Sequence, residues 1–228
     1  LDFLFSSFAA ALRMIGDLSP DVVDAIGTSI YVSTVATLFG AFFGIPLGLV
    51  MGLAEFPLKR FAITVLNTLM ALPTVVVGLL VYGFLSRQGP LGALGLLFTP
   101  TAIVIGGTLL AAPIVANYAL ASVRGADQRI LPTALTLGAG RIRAMGALVG
   151  EIRFGILAAV IAGFGRVISE VGVAMMLGGN IRGYTRTMTT AIALETSKGE
   201  FAFGMALGIV LLSVALLVNL FLHFFQQR

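Results

Sequence analysis

The chain has no cysteine and no tryptophan, a single histidine, and only 11% charged residues. Each shortage removes a class of function. Without cysteine there are no disulfides and no thiolate chemistry. His223 stands alone near the C-terminal membrane end, with no HExxH pattern and no second histidine, so histidine-based catalysis is poorly supported. Every aspartate except Asp127 precedes Ala25, which leaves no pair of intramembrane aspartates for catalysis. No GxxxxGK[ST] phosphate loop is present, so any ATP-driven step belongs to another polypeptide. The scarcity of charge is itself informative, because a soluble domain carries about 25%.

What fills the chain is apolar: 58% hydrophobic residues and a mean hydropathy of +1.06. Uncharged runs cover residues 25–54, 61–86, 88–123 and 201–227. Each exceeds the roughly 20 residues that a spanning helix needs. A fifth run, 154–179, is interrupted by Arg166 and Glu170. The pattern predicts an all-α integral membrane protein: a single domain over 1–228 with about five transmembrane helices. Residues 1–24 form an N-terminal segment in which Leu1, Leu4, Phe5, Phe8, Leu12 and Ile15 recur at helical spacing. That spacing suits a helix lying in the membrane interface or a partial further span. Asp2 and Arg13 argue against a secretory signal there.

The net charge of +4 and the pI near 10.0 do not indicate nucleic acid, because the bases sit at the ends of the apolar runs. Five spans place the chain ends on opposite sides. One side then receives Lys59, Arg60, Arg124, Arg129, Arg141, Arg143, Arg153 and Arg228; the other receives Arg13, Arg87, Arg182, Arg186 and Lys198 with most of the acids. The positive-inside rule puts the larger set in the cytoplasm, hence the N-terminus outside and the C-terminus inside.

Within the first span, Gly40, Gly44, Gly48 and Gly52 form a stripe of small residues that lets another helix approach closely, in this chain or in a second copy. Pro46 is expected to kink that span. Leu72-Pro73 should break the second, and Gly106-Gly107 with Pro113 should loosen the third. Such breaks border pathways in many transporters, although Gly and Pro are common in membrane helices generally.

Residues 124–153 read as a basic, glycine-hinged cytoplasmic loop. Pro132 suits a first helical position. Thr133 to Leu137 then makes one short helix, 138–140 a turn and 141–149 a second helix. Ala134, Leu135, Leu137, Ile142 and Met145 are the candidate apolar knobs, flanked by Arg141 and Arg143. A hairpin of this kind invites a partner with a groove, or packs on the membrane surface through its own bases.

This stretch resembles the coupling loop of importer-type ABC transporter permeases, whose pattern is Glu-Ala-Ala, three residues and Gly, followed by a later apolar-Pro pair. Gly138 takes the glycine position and Ala134 the final alanine, with the Leu137-Gly138-Ala139 core intact. Pro132 stands at the Glu position, Thr133 at the first Ala and Glu151 at the later Pro. Residues 162–195 are similar to the corresponding segment of molybdate and tungstate permeases. Gly178-Gly179-Asn180-Ile181-Arg182-Gly183, followed by Thr185-Arg186-Thr187, looks closest to the tungstate branch.

The resemblance implies an ABC importer type I-like fold, a homodimer with the path between two copies, and two ATPase subunits on the cytoplasmic loop. It also implies an external oxyanion-binding protein and a site in the prokaryotic inner membrane, in contact with lipid. ATP and Mg would be held by the partner ATPase, with no cofactor, metal or nucleic acid on this chain. The substrate expected is tungstate, with molybdate or sulfate as alternatives; a secondary carrier or channel is the rival of another class. An intramembrane charge costs about 2.5–3.5 kcal/mol on insertion scales. Arg166 and Glu170, four apart on one face, therefore form either a structural ion pair or part of a gate, with Ser169 and Gly172 beside them. In the outer loop, Arg182 and Arg186 are available to meet the anion, an acidic partner surface or the membrane interface.

Overall fold

The computed structural model describes residues 2–17 and 19–226, and among these every regular element is helical. Leu1, Leu18, Gln227 and Arg228, on which parts of the expected N-terminal helix, first turn and charge balance fall, lie outside the described residues. The helices are α1 (Asp2–Gly16), α2 (Pro20–Leu53), α3 (Lys59–Met70), α4 (Thr74–Leu85), α5 (Pro100–Gly125), α6 (Ile130–Thr136), α7 (Arg141–Glu151), α8 (Arg153–Ile168), α9 (Gly172–Gly178), α10 (Met188–Ser197) and α11 (Phe201–Gln226). Three of them, α2, α5 and α11, are long and apolar enough to cross a bilayer, and the bent pairs α3–α4 and α7–α8 raise the number to five.

Local chemistry explains the helix starts. Pro20 and Pro100 each stand in the first turn of a long helix, where a missing N–H costs nothing. Thr99 caps α5 by accepting from the Ala102 N–H. The prolines differ in their effect on the helix. The α3–α4 pair does bend, by 95° across residues 71–73, next to Pro73. α2, however, runs through Pro46 and α5 through Pro113 as continuous helices. The glycines of α5 are contact points rather than loose joints. A Cβ on Gly106 would lie 2.4 Å from Val173 Cγ1, and one on Gly107 would lie 2.9 Å from Ala36 Cβ.

α5 is the central helix, and α2 packs along it. The glycine stripe makes that packing possible, so its neighbour is in the same chain. A Cβ on Gly44 would sit 2.7 Å from the Ala112 carbonyl oxygen, and one on Gly48 2.3 Å from that of Ala116. Along this seam the closest contacts are made by Gly, Ala and Val, and larger side chains such as Leu177, Met188 and Leu207 are buried elsewhere, while Phe42, Leu38, Leu212 and Leu217 are exposed. This is the reverse of a soluble domain, because lipid solvates large apolar side chains as well as a core does. α1 packs on α11 with Ser7 and Ala11 buried and Phe5, Phe8 and Leu12 exposed.

The bundle has two ends. At one, the start of α2, the end of α4, the start of α5 and the segment after α9 come together, tied by Arg182 to Asp21 and by the Phe98 N–H to the Leu177 carbonyl. At the other, the ends of α2 and α5 meet α6, α7 and the start of α8.

Candidate functional site

The hairpin α6–α7 closes the second end. α6 starts at Ile130, earlier than the sequence pattern suggests, because Asp127 nucleates a turn: its carboxylate accepts from the Arg129 backbone N–H (2.9 Å) and side chain. The Arg129 guanidinium, and secondarily its N–H, hold the Asp127 carboxyl below its ordinary range. Pro132 is thus the third helical residue, still within the first turn, where its ring lacks only an orphan donor. Thr133 lies beside it, exposed.

α6 ends in a Schellman motif. The Gly138 N–H donates to the Leu135 carbonyl and the Ala139 N–H to the Ala134 carbonyl, both at 3.0 Å. This closure needs Gly138 at φ +84°, a left-handed conformation open to glycine. Ala134 and Ala139 are half-buried inside the turn rather than projecting from it. The outward residues are Leu137 (82% exposed), Ile142 (90%), Leu135 and Met145, with Arg141 and Arg143 exposed beside them. On the opposite face Ala144 is buried, and Leu148 and Ile152 are buried against Leu49 and Leu53 of α2, Val123 of α5 and Ile156 of α8. A small, apolar-tipped hairpin is thus wedged onto the ends of three helices.

The second constellation is the break between α8 and α9. Glu170 is buried, and its Oε1 accepts from the Gly172 N–H (2.8 Å) and the Val173 N–H (3.3 Å). It caps the start of α9 through donors that would otherwise be orphaned in the membrane. Arg166 lies 3.7 Å from the other carboxylate oxygen, so the pair is in Coulombic rather than hydrogen-bonding contact. Ser169 is exposed, and its hydroxyl donates back to the Gly165 (2.8 Å) and Arg166 (3.1 Å) carbonyls, finishing α8. Gly172 lets α4 approach: a Cβ there would lie 3.2 Å from Thr74 Oγ1. The start of α9, just after the α8–α9 break, therefore meets the start of α4, just after the α3–α4 break. Thr189 completes the junction by donating to the Glu170 carbonyl at 2.8 Å. Nearby, Ser169, Tyr118 and Asn219 are among the polar residues lining a cavity of about 480 Å³ between α8 and α11.

The third set, after α9, is mostly structural. Gly178 packs on Ile103, while Gly179 and Asn180 adopt left-handed conformations that turn the chain. Thr185 is fully buried; its hydroxyl donates to the Gly178 carbonyl and accepts from the Ile181 N–H. Thr187 and Thr190 form a capping box at α10. Arg182 pairs with Asp21, which raises the guanidinium pKa further. Arg186 faces Glu195 at 3.4 Å. The two bases are thus engaged within the chain, and the threonines are cross-links. Asp21, Glu195, Thr189 and Thr190 carry no motif of their own, and only their proximity in the fold reveals their part.

Residues 44–228 match the family described as "Binding-protein-dependent transport system inner membrane component". The chain is 39% identical over the whole of both sequences to the tungstate uptake system permease protein TupB of Peptoclostridium acidaminophilum. It is 40% identical to a probable anion ABC transporter permease protein of Haloferax volcanii, over 94% of this chain and 95% of that one. Its fold is that of the MetNI methionine ABC transporter in an inward-facing form, with a TM-score of 0.73 and 14% identity over 90% of this chain and 94% of that one.

Proposed function

The chain belongs to the inner membrane components of binding-protein-dependent transport systems, and from that premise we propose that it is the permease subunit of an ATP-driven oxyanion importer, with tungstate as its substrate. The observation that carries this reading is the α6–α7 hairpin, rigid at its turn, apolar at its tip and anchored to three helix ends. Exposed Leu137 and Ile142 at a membrane surface are costly unless a partner covers them. A groove on an ATPase subunit is the occupant this reading assigns, with ATP and Mg held there.

In this mechanism two copies form the path between them, and each presents one hairpin to one ATPase. ATP-driven closure of the ATPases draws the hairpins together. Because Leu148 and Ile152 pack on α2, α5 and α8, that displacement enters three helices at once. The breaks at residues 71–73 and 169–171 are the compliant points, held in register by Glu170 and Thr189. The hairpin end faces the cytoplasm, where its bases satisfy the positive-inside rule, and the opposite end receives the oxyanion-loaded binding protein.

Support for tungstate comes from the full-length similarity to a tungstate uptake permease. The test is reconstitution of the chain with its ATPase and binding protein in vesicles, followed by tungstate uptake with and without ATP and with molybdate or sulfate as competitors. ATP-dependent tungstate uptake is expected. Uptake that needs no ATPase would make the chain a secondary carrier, and uptake abolished by sulfate but indifferent to molybdate would move the substrate assignment.

A further inference from the structure

The end of the bundle opposite the hairpin carries few bases, and most are already engaged. Arg182 is paired with Asp21, its Nε 2.6 Å from the carboxylate. Arg186 and Lys198 share Glu195 at 3.4 and 3.0 Å. Arg87 differs. It is exposed, no carboxylate lies within ion-pair distance of it among the described residues, and it lines a cavity of about 630 Å³ with Tyr82, Leu85, Gln88, Leu97 and Phe98.

The walls of this cavity are fixed. The loop after α4 folds back so that the Leu91 N–H donates to the Phe84 carbonyl at 3.0 Å, and a 3-10 turn follows at Gly92–Leu94. Glycine is required where the loop touches itself: a Cβ on Gly89 would lie 2.1 Å from the Gly83 carbonyl oxygen, and one on Gly92 2.3 Å from that of Ser86. On the far wall Phe98 is held at φ +62°, its N–H donating to the Leu177 carbonyl at 2.8 Å and its ring meeting Tyr82 edge-on. A non-glycine residue in that conformation persists only where its surroundings hold it. The cavity is therefore preorganised rather than a gap in a mobile loop.

Resting on the importer reading above, we propose that this cavity is a docking socket for the external binding protein, in which Arg87 receives an acidic side chain from a protruding loop of that partner. Size and chemistry exclude a close fit to the oxyanion. A bare tetrahedral anion is held by several converging donors in a tight site, whereas this wide cavity offers one cation, the Gln88 amide, the Tyr82 phenol and a Ser86 hydroxyl already donating to the Gly83 carbonyl, beside apolar Leu85, Leu97 and Phe98. A loop residue with a carboxylate tip and an apolar stem uses both halves. Charge complementarity at the rim of an interface acts chiefly on encounter rate and register, which suits a partner that must bind, deliver and leave.

The test uses the permease–ATPase complex in lipid nanodiscs and reads ATPase stimulation as loaded binding protein is titrated in. Arg87→Glu should raise the half-stimulating concentration of binding protein roughly tenfold, and Arg87→Lys should stay within about twofold of the parent. Higher ionic strength should weaken the parent and leave Arg87→Glu largely indifferent. An acidic-to-lysine change in the docking loop of the binding protein should restore Arg87→Glu. Co-purification of each variant with the ATPase establishes that it is folded. An unchanged half-stimulating concentration in Arg87→Glu overturns the inference. So does a variant whose docking is normal but whose uptake depends differently on oxyanion concentration, since that assigns the cavity to the anion. Failure of the parent complex to respond to any binding protein would instead defeat the importer reading itself.

Discussion

Substitution of Gly138 separates two ways in which the hairpin can matter. At φ +84° the residue is in the left-handed region, where a non-glycine side chain costs roughly 1–2 kcal/mol. A Cβ at this position would meet nothing within 4 Å inside the chain, so the whole penalty is conformational. α6 spans Ile130–Thr136, too short to persist without its cap and its packing. A loss of 1–2 kcal/mol lowers the population of the closed turn by a factor of about 5–30. Coupled ATPase activity and uptake should therefore fall in the order Gly138, then Asn, then Ala, then Val, because Asn tolerates the left-handed region and a β-branched residue does not. Protein level in the membrane should stay constant, since the hairpin anchor at Leu148 and Ile152 is untouched. The assay is ATP-driven uptake in vesicles alongside co-purification of the ATPase. Unchanged uptake in Gly138→Val would refute the capping argument. An order that follows bulk, with Asn worse than Ala, would show that a partner surface rather than the backbone demands the glycine.

Other perturbations have equally definite outcomes. Gly48→Leu places atoms where the Ala116 carbonyl stands and should cost at least 1–3 kcal/mol through overpacking, read as a lower melting temperature in detergent. Gly27→Ala on the same helix, where a Cβ meets nothing, should be neutral or stabilising by up to about 1 kcal/mol. Glu170→Gln keeps an acceptor for the Gly172 and Val173 N–H groups and should melt near the parent, while Glu170→Ala loses the cap, worth about 0.5–2 kcal/mol. Equal damage from the two would mean that the charge facing Arg166, not the cap, is what matters. Ile142→Asp on the hairpin tip should leave the chain folded in the membrane and abolish ATPase co-purification; retained co-purification would remove Ile142 from the docking face.

Several features were legible before any coordinates. Run lengths anticipate the long apolar helices α2, α5 and α11 and the bent pair α3–α4, because bilayer thickness sets the length a span needs. Leu72-Pro73 marks the sharp bend because proline cannot donate and its ring clashes with the preceding turn. Gly138 stands out because the turn between two short helices needs a left-handed residue. Pro46 and Pro113 lie within continuous helices, so proline alone does not tell a break from an uninterrupted span. The arginines after α9 are open in the sequence to the anion, an acidic partner surface or the membrane interface, and only the fold shows that Asp21 and Glu195 pair with them.

Hydrophobicity and spacing by themselves determined that this chain is a bundle of membrane helices with one basic hairpin, since both properties are local and periodic. Which face of each helix is buried was decided only in three dimensions. In lipid a leucine gains little by turning inward, so the apolar pattern does not point to the core, and close approach at Gly44, Gly48 and Gly106 does. The same holds for charge: Arg182 becomes an ion pair only when Asp21 is brought to it across the fold, whereas no carboxylate among the described residues comes within ion-pair distance of Arg87.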